Sequence, residues 1–281
     1  MLYKLASKII NMSLKAIRPP HLTINVSTIE RGELLKGKRI LITGGSRGIG
    51  LAMAKKFLNE GATVLITGRN ESKLSDIVKD CNNNRLYYIA FDVNNISGIS
   101  SLYDSACQKL GVVDILVSNA GISLHEGSID NVSSEGFDQT ISTNLKSHYF
   151  LAKEFIKRHK QDENKTILFV TSKDGYVCNE IPYGLTKASV NSLVGALSCH
   201  YYRQGIRVNA IAPGVTLTDM TRSFADRGDG NMYAANYAGR NFLPEEVAEV
   251  ACFLISDVSR CISGQIIYTD GGDHNKSNIK V

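Results

Sequence analysis

Tyr183 and Lys187, in the segment Tyr-Gly-Leu-Thr-Lys, open a helical pattern, and a four-residue spacing puts them on one face about a turn apart. A lysine cation beside a phenol stabilises the phenolate and should draw the tyrosine pKa towards neutrality, which would make Tyr183 a general acid/base. YxxxK alone is a common accident. Eleven residues upstream, however, a β-branched run ends at Thr171-Ser172. A hydroxyl at the carboxyl edge of a sheet can hydrogen-bond a substrate carbonyl beside the tyrosine.

A second group of residues points to phosphate. The run Ile40-Leu-Ile-Thr-Gly44-Gly-Ser46-Arg47-Gly48-Ile49-Gly50 follows the first apolar strand pattern and opens a helix. Glycines allow a tight turn and close approach of phosphate oxygens to amide N–H groups, and a helix N-terminus favours negative charge. Three residues separate Gly44 from Gly48 and one separates Gly48 from Gly50, a departure from GxGxxG. In dinucleotide folds an acid at the tip of the second strand binds the ribose 2′-hydroxyl. That tip here is Thr67-Gly68-Arg69-Asn70, with no acid. Arg69 and Arg47 together suit a 2′-phosphate dianion, so the sequence predicts NADP(H), with NAD(H) as the alternative.

Positioning these groups requires alternating short strands and longer helices. Strands are predicted at Arg39–Thr43, Thr63–Thr67, Leu86–Asp92, Ile115–Asn119, Ile167–Ser172, Arg207–Ala212 and Gln265–Tyr268. Helices are predicted at Ile49–Glu60, Ser97–Leu110, Glu135–His159, Tyr183–Arg203 and Glu245–Ser256. This is an α/β pattern of right-handed βαβ units: one doubly wound (Rossmann) domain with a seven-stranded, mainly parallel sheet and helices on both faces. The long irregular stretch Asp219–Phe242 reads as either an active-site lid or a loop without order of its own.

Composition removes several classes. The chain has 281 residues, 43% apolar, and no apolar run near the roughly 18 residues that span a bilayer. Its six cysteines are scattered, without a CxxC pair or clustered histidines, which argues against a metal site and a disulfide scaffold and suits a cytoplasmic protein. The net charge of +5 is concentrated in residues 1–39, with eight Lys/Arg against two Glu. The remainder is close to neutral, which does not suit nucleic acid.

Taken in order, these motifs resemble the short-chain dehydrogenase/reductase family, in the compact subgroup that includes β-ketoacyl carrier-protein reductases. The resemblance covers Gly37–Gly272. Thr43-Gly44…Gly48-Ile49-Gly50 is similar to the family's cofactor turn, Asp92-Val93 to the pair at adenine, and Asn119-Ala120-Gly121 to the motif ending strand four. Asn144, in Thr143-Asn-Leu, resembles the asparagine that holds a proton-relay water, and with Ser172, Tyr183 and Lys187 makes the implied tetrad. Pro213-Gly214-Val215 with Thr218 resembles the segment at the nicotinamide carboxamide, and Gly264-Gln265 with Asp270–Gly272 resembles the closing strand. The resemblance implies hydride transfer between NADPH and a carbonyl or secondary alcohol of a small molecule. Ser172 would bind the oxygen, Tyr183 would pass the proton, and Lys187 would assist and hold the nicotinamide ribose. It also implies a homo-oligomer, a tetramer, through the helices Glu135–His159 and Tyr183–Arg203.

This sequence departs from the family in three places. The loop Lys173–Pro182 is about two residues shorter than in typical relatives. Strand four ends Ser118-Asn-Ala-Gly rather than Asn-Asn-Ala-Gly, and the N-terminal arm has no counterpart. The substrate stays open among 3-oxoacyl groups, alcohols, steroids and sugar alcohols. A non-catalytic nucleotide sensor is disfavoured because the tetrad is intact, and a sugar-nucleotide isomerase, epimerase or dehydratase because only nine residues follow Gly272. Ser123–Glu126, Tyr176–Pro182 and Asp219–Phe242 are the expected substrate lining, with His125 and Cys178 read as bystanders.

Residues 1–36 read as a basic amphipathic arm and tether, and residues 37–281 as the catalytic domain. If 2–18 is helical, Leu2, Leu5, Ala6, Ile9, Met12, Ala16 and Ile17 share one face and Lys4, Lys8, Asn11 and Lys15 the other. Pro19-Pro20 ends it. Charges at 4, 8 and 15 do not suit a secretory h-region. Docking on the same or a neighbouring subunit is the first reading. An anionic membrane surface and an organelle-targeting role are the alternatives.

Overall fold

The computed structural model describes residues 32–160, 164–177, 179–221 and 237–275. Its strands are β1 (Arg39–Ile42), β2 (Thr63–Gly68), β3 (Leu86–Ala90), β4 (Ile115–Ser118), β5 (Lys165–Val170), β6 (Ile206–Pro213) and β7 (Ile266–Thr269). They form one seven-stranded sheet in the order β3-β2-β1-β4-β5-β6-β7. Every pairing is parallel. The chain builds outward from β1 to β3, returns to β4 and continues the other way. The carboxyl ends of β1 and β4 therefore flank the switch point, where a crevice must open.

The strands are apolar on both faces because both are covered. Ile40, Ile42, Val64, Ile66, Ile115 and Val117 point into one core. It is closed by α1 (Gly48–Asn59) and α7 (Pro244–Ile255). Leu41, Leu65, Leu116, Ile167 and Phe169 point into the other. That side is closed by α3 (Ile99–Leu110), α5 (Ser147–Lys157) and α6 (Pro182–Tyr201). The two-residue alternation gives each strand a row for each core.

Two further helices complete the set. α2 (Glu71–Cys81), for which the sequence reading names no helix, is capped by Asn70, whose side chain accepts from Lys73 N–H at 3.0 Å. α4 (Ser134–Ile141) is capped by Ser133, whose hydroxyl accepts from Gly136 N–H at 3.0 Å. The predicted helix Glu135–His159 is α4 and α5 joined by a wide π-turn at Ser142–Lys146, with Asn144 inside it. Such turns shift side-chain register within one helix and gather at functional sites.

The sequence boundary between arm and domain falls too late. Leu35, assigned to the tether, is fully buried in the core. Its N–H donates to the Glu60 carbonyl at 2.8 Å, and Gly32 and Leu34 N–H donate to the Glu60 carboxylate at 3.1 and 3.3 Å. The predicted amphipathic helix, the segment 222–236 of the proposed lid, and Cys178 lie outside the described residues. The lid's two ends are described, and they are joined at the base. Phe242 N–H donates to Val215 O and Leu217 N–H to Phe242 O, each at 2.8 Å.

Candidate active site

A cleft of about 440 Å3 runs along the carboxyl ends of β1, β2, β4, β5 and β6. Its floor is the glycine turn. Gly44 and Gly48 adopt φ of +67° and +53°, the left-handed region that glycine enters without strain. Gly50 has no room for a side chain, because a Cβ there would lie 2.3 Å from the Gly44 carbonyl oxygen and 2.6 Å from Asn119 Nδ2. Asn119 stitches β4 to this turn, with Nδ2 donating to Thr43 O at 2.9 Å and Gly44 O at 3.1 Å. The Thr43 hydroxyl accepts from the N–H groups of Asn119 and Ala120, at 3.1 and 3.2 Å.

At one end the wall carries cations. Arg47 and Arg69 both reach it, as does Lys73, which the sequence reading did not include. A signal for Lys73 was present: the Asn70 cap sets it in the first turn of α2, four residues beyond Arg69. Ser46, Ile49, Asp92, Val93, Ala120, Gly121, Pro213, Gly214 and Thr218 also line the cleft. Val215, predicted beside them, does not line the cleft; its carbonyl accepts from Phe242 N–H at 2.8 Å.

At the other end lie Ser172, Tyr183 and Lys187. Of the two hydroxyls ending β5, Thr171 donates to Ile211 O at 3.1 Å and is committed to the sheet. The Ser172 hydroxyl accepts from Asp174 N–H at 3.2 Å. Lys187 Nζ lies 5.5 Å from the centre of the Tyr183 ring and donates to Val170 O at 3.0 Å. Asn144 is fully buried behind the wall. Its amide grips one residue at both ends, Nδ2 donating to Ile122 O and Oδ1 accepting from Ile122 N–H, each at 2.8 Å. One amide hydrogen and one oxygen lone pair of Asn144 stay uncommitted in these contacts.

The electrostatics correct one expectation. Tyr183 is not drawn towards neutrality by Lys187. Burial pushes its phenol up to about 12, against the Ser172 hydrogen bond and with the Asp174 charge adding to it. Lys187 is buried too, which pushes its ammonium down to about 8. A prediction follows for stability. The folded pKa of Lys187 lies below its ordinary 10.5, so the buried cation penalises folding fully below pH 8 and the penalty fades between 8 and 10.5. Thermal melts should therefore show wild type gaining on Lys187→Met as pH rises through that window. A difference that is flat with pH would refute the assignment.

The Ser118 departure has a partner. Ser118 Oγ lies 2.5 Å from His148 Nδ1, and both residues are fully buried. His148 sits one turn beyond Asn144, edge-on to Phe169 at 5.9 Å. Burial, and then the Lys187 charge, push its imidazole down to about 3, so it is neutral. Elsewhere, among the described residues, no three His, Cys, Asp or Glu side chains are grouped to hold a metal. No described helix is long and apolar enough to cross a membrane.

A parallel sheet with a glycine-floored cleft at its switch point, cations at one end and a Ser–Tyr–Lys group at the other, defines a dinucleotide-dependent oxidoreductase. Comparison with known proteins narrows the class. The family model described as enoyl-(acyl carrier protein) reductase matches residues 44–274. The 3-oxoacyl-[acyl-carrier-protein] reductase FabG of Chlamydia pneumoniae is 32% identical over 242 residues, covering 85% of this chain and 97% of that protein. FabG of Rickettsia felis is 35% identical over 240 residues, covering 85% and 97%. The solved 3-ketoacyl-(acyl-carrier-protein) reductase of Brucella melitensis, complexed with NADH, superposes with a TM-score of 0.78 at 29% identity, covering 85% of this chain and 99% of that one. The chain belongs to the short-chain dehydrogenase/reductase family. It is an NAD(P)-dependent enzyme acting on CH–OH groups.

Proposed function

We propose that the protein is an NADPH-dependent reductase interconverting a carbonyl and a secondary alcohol, with a 3-oxoacyl group as the substrate class. The observation that carries this reading is the meeting of Ser172, Tyr183 and Lys187, the lysine 5.5 Å from the tyrosine ring centre, at one end of a cleft whose other end holds Arg47, Arg69 and Lys73. The glycine turn fits a pyrophosphate, because left-handed Gly44 and Gly48 lead into the N-terminus of α1, which favours negative charge. Gly44–Gly50 would hold the phosphates, Arg47 and Arg69 the 2′-phosphate, Asp92 and Val93 the adenine side, and Asn119–Gly121 with Pro213, Gly214 and Thr218 the nicotinamide side. When bound, the nicotinamide supplies the hydride in reduction and accepts it in oxidation.

The chain's own residues do the rest. Ser172 donates a hydrogen bond to the substrate oxygen. Tyr183 passes its phenolic proton to that oxygen as negative charge develops there. Lys187 keeps a cation beside the phenol and holds ribose hydroxyls. Asn144 fixes the Ile122 turn, and its uncommitted hydrogen and lone pair carry the relay water.

The cofactor preference is the test. NADPH should exceed NADH at least tenfold in kcat/KM, and Arg69→Ala should remove about tenfold of that. A charged hydrogen bond contributes roughly 1.5–3 kcal/mol, and about 1.4 kcal/mol is tenfold. Equal efficiency with both cofactors in wild type would overturn NADPH dependence.

The same proposal includes a homotetramer. It is supported by the exposed Phe137, Tyr149 and Leu185 on α4, α5 and α6, the helices expected to pair. It also includes a cytoplasmic location, which the free thiols of Cys81, Cys107, Cys199, Cys252 and Cys261 suit. The amphipathic arm is assigned to docking on the enzyme, with a membrane surface as the alternative.

A further inference from the structure

The segment Thr216–Thr221 borders the cleft and is tied down on two sides. Arg47 of the glycine turn pairs with Asp219, Nη1 to Oδ2 at 3.2 Å. From the loop after β4, the His125 ring hydrogen-bonds the Met220 carbonyl through Nε2 at 2.9 Å. The segment is stiffened internally by the Thr221 hydroxyl, which accepts from Thr218 N–H at 3.0 Å and donates towards the Thr216 carbonyl. Thr218 in turn packs on the glycine turn, since a Cβ at Gly48 would lie 3.1 Å from its methyl group. Asp219 is thus presented to Arg47 by a braced turn.

We propose that Asp219 is a specificity-determining residue for the cofactor: its carboxylate occupies Arg47 in place of the 2′-phosphate, and so reduces the protein's discrimination between NADP(H) and NAD(H). The inference rests on the NADP(H) reading above. Arg47 can serve one anion or the other. A cofactor with a 2′-phosphate must displace the carboxylate, and the displaced carboxylate remains close by on the braced turn, where it repels the dianion. A cofactor lacking that phosphate leaves the pair intact. Arg69 and Lys73 face the same cleft and form no ion pair among the described residues, so their attraction carries no such discount. The pair is solvent-exposed, with 62% and 58% of the two side chains accessible, so the discount is modest. An exposed pair of this kind corresponds to about a two- to fivefold change in affinity.

The test is direct binding, measured by titration calorimetry on the full chain. NADPH, NADH, adenosine 2′,5′-bisphosphate and AMP are titrated into wild type, Asp219→Asn, Arg47→Ala and the double variant. Asp219→Asn is expected to tighten NADPH and the bisphosphate by about two- to fivefold and leave NADH and AMP unchanged. The gain should vanish in the Arg47→Ala background, because the two residues act through one contact. It should also shrink as salt is raised from 0.05 to 0.5 M, as expected of a screened interaction. Unchanged NADPH affinity in Asp219→Asn overturns the proposal. So does an equal change for both cofactors, which would mean that only the turn had loosened. If wild type binds NADPH and NADH equally and Asp219→Asn changes neither affinity, both this inference and the NADP(H) reading fall. A wild-type preference for NADPH that Asp219→Asn does not alter removes this inference alone.

Discussion

Tyr183→Phe is expected to lose turnover by about 10²–10⁴-fold while still binding cofactor. The ring stays, so its packing at the head of α6 is preserved, and only the hydroxyl is removed. With burial pushing the phenol up to about 12, the residue enters the reaction protonated at neutral pH, ready to give a proton during reduction. The loss should therefore fall on kcat, with cofactor affinity measured by fluorescence little changed. A variant that kept more than a tenth of the wild-type kcat on a good substrate would remove Tyr183 from the chemistry.

Gly50→Ala should be as damaging by a different route. The added methyl would sit 2.3 Å from the Gly44 carbonyl oxygen and 2.6 Å from Asn119 Nδ2, and a backbone carbonyl has little freedom to retreat. Overpacking of this kind costs about 1–3 kcal/mol. Relief requires the glycine turn to move or the Asn119 stitch to break, and both shape the phosphate floor. The expected result is a lower melting temperature together with at least a tenfold loss of affinity for either cofactor. Preserved cofactor affinity would mean that the pyrophosphate lies elsewhere.

Much of this was legible in the chain. The strands lie within two residues of their predicted ends, because runs such as Ile40–Ile42 and Val64–Ile66 are apolar on both faces and bounded by turns. β5 begins two residues early, at Lys165, because that lysine is buried in an ion pair with Asp114 at 3.2 Å, a partner 51 residues away. Most predicted site residues meet in one cleft for the same reason: their motifs end strands or begin helices, and a parallel sheet gathers those points along one edge. What stayed hidden depends on distance in the chain. The π-turn around Asn144 has no hydrophobic period to announce it. The His148 partner of Ser118 lies 30 residues on. The tyrosine pKa reverses because YxxxK reports proximity to a cation but not the burial that outweighs it.

The joined base of the Asp219–Phe242 loop bears on how this enzyme could acquire new substrates. Thr216 and Leu217 are paired to Phe242, so both stems of the loop are fixed by the body of the protein. A loop held at its base in this way tolerates a change in length. Doubling the length of a closed loop adds only about 0.6 kcal/mol of closure entropy. Beyond the braced Thr216–Thr221 turn, the loop can therefore gain residues while β6, the glycine turn and the Ser–Tyr–Lys group keep their places.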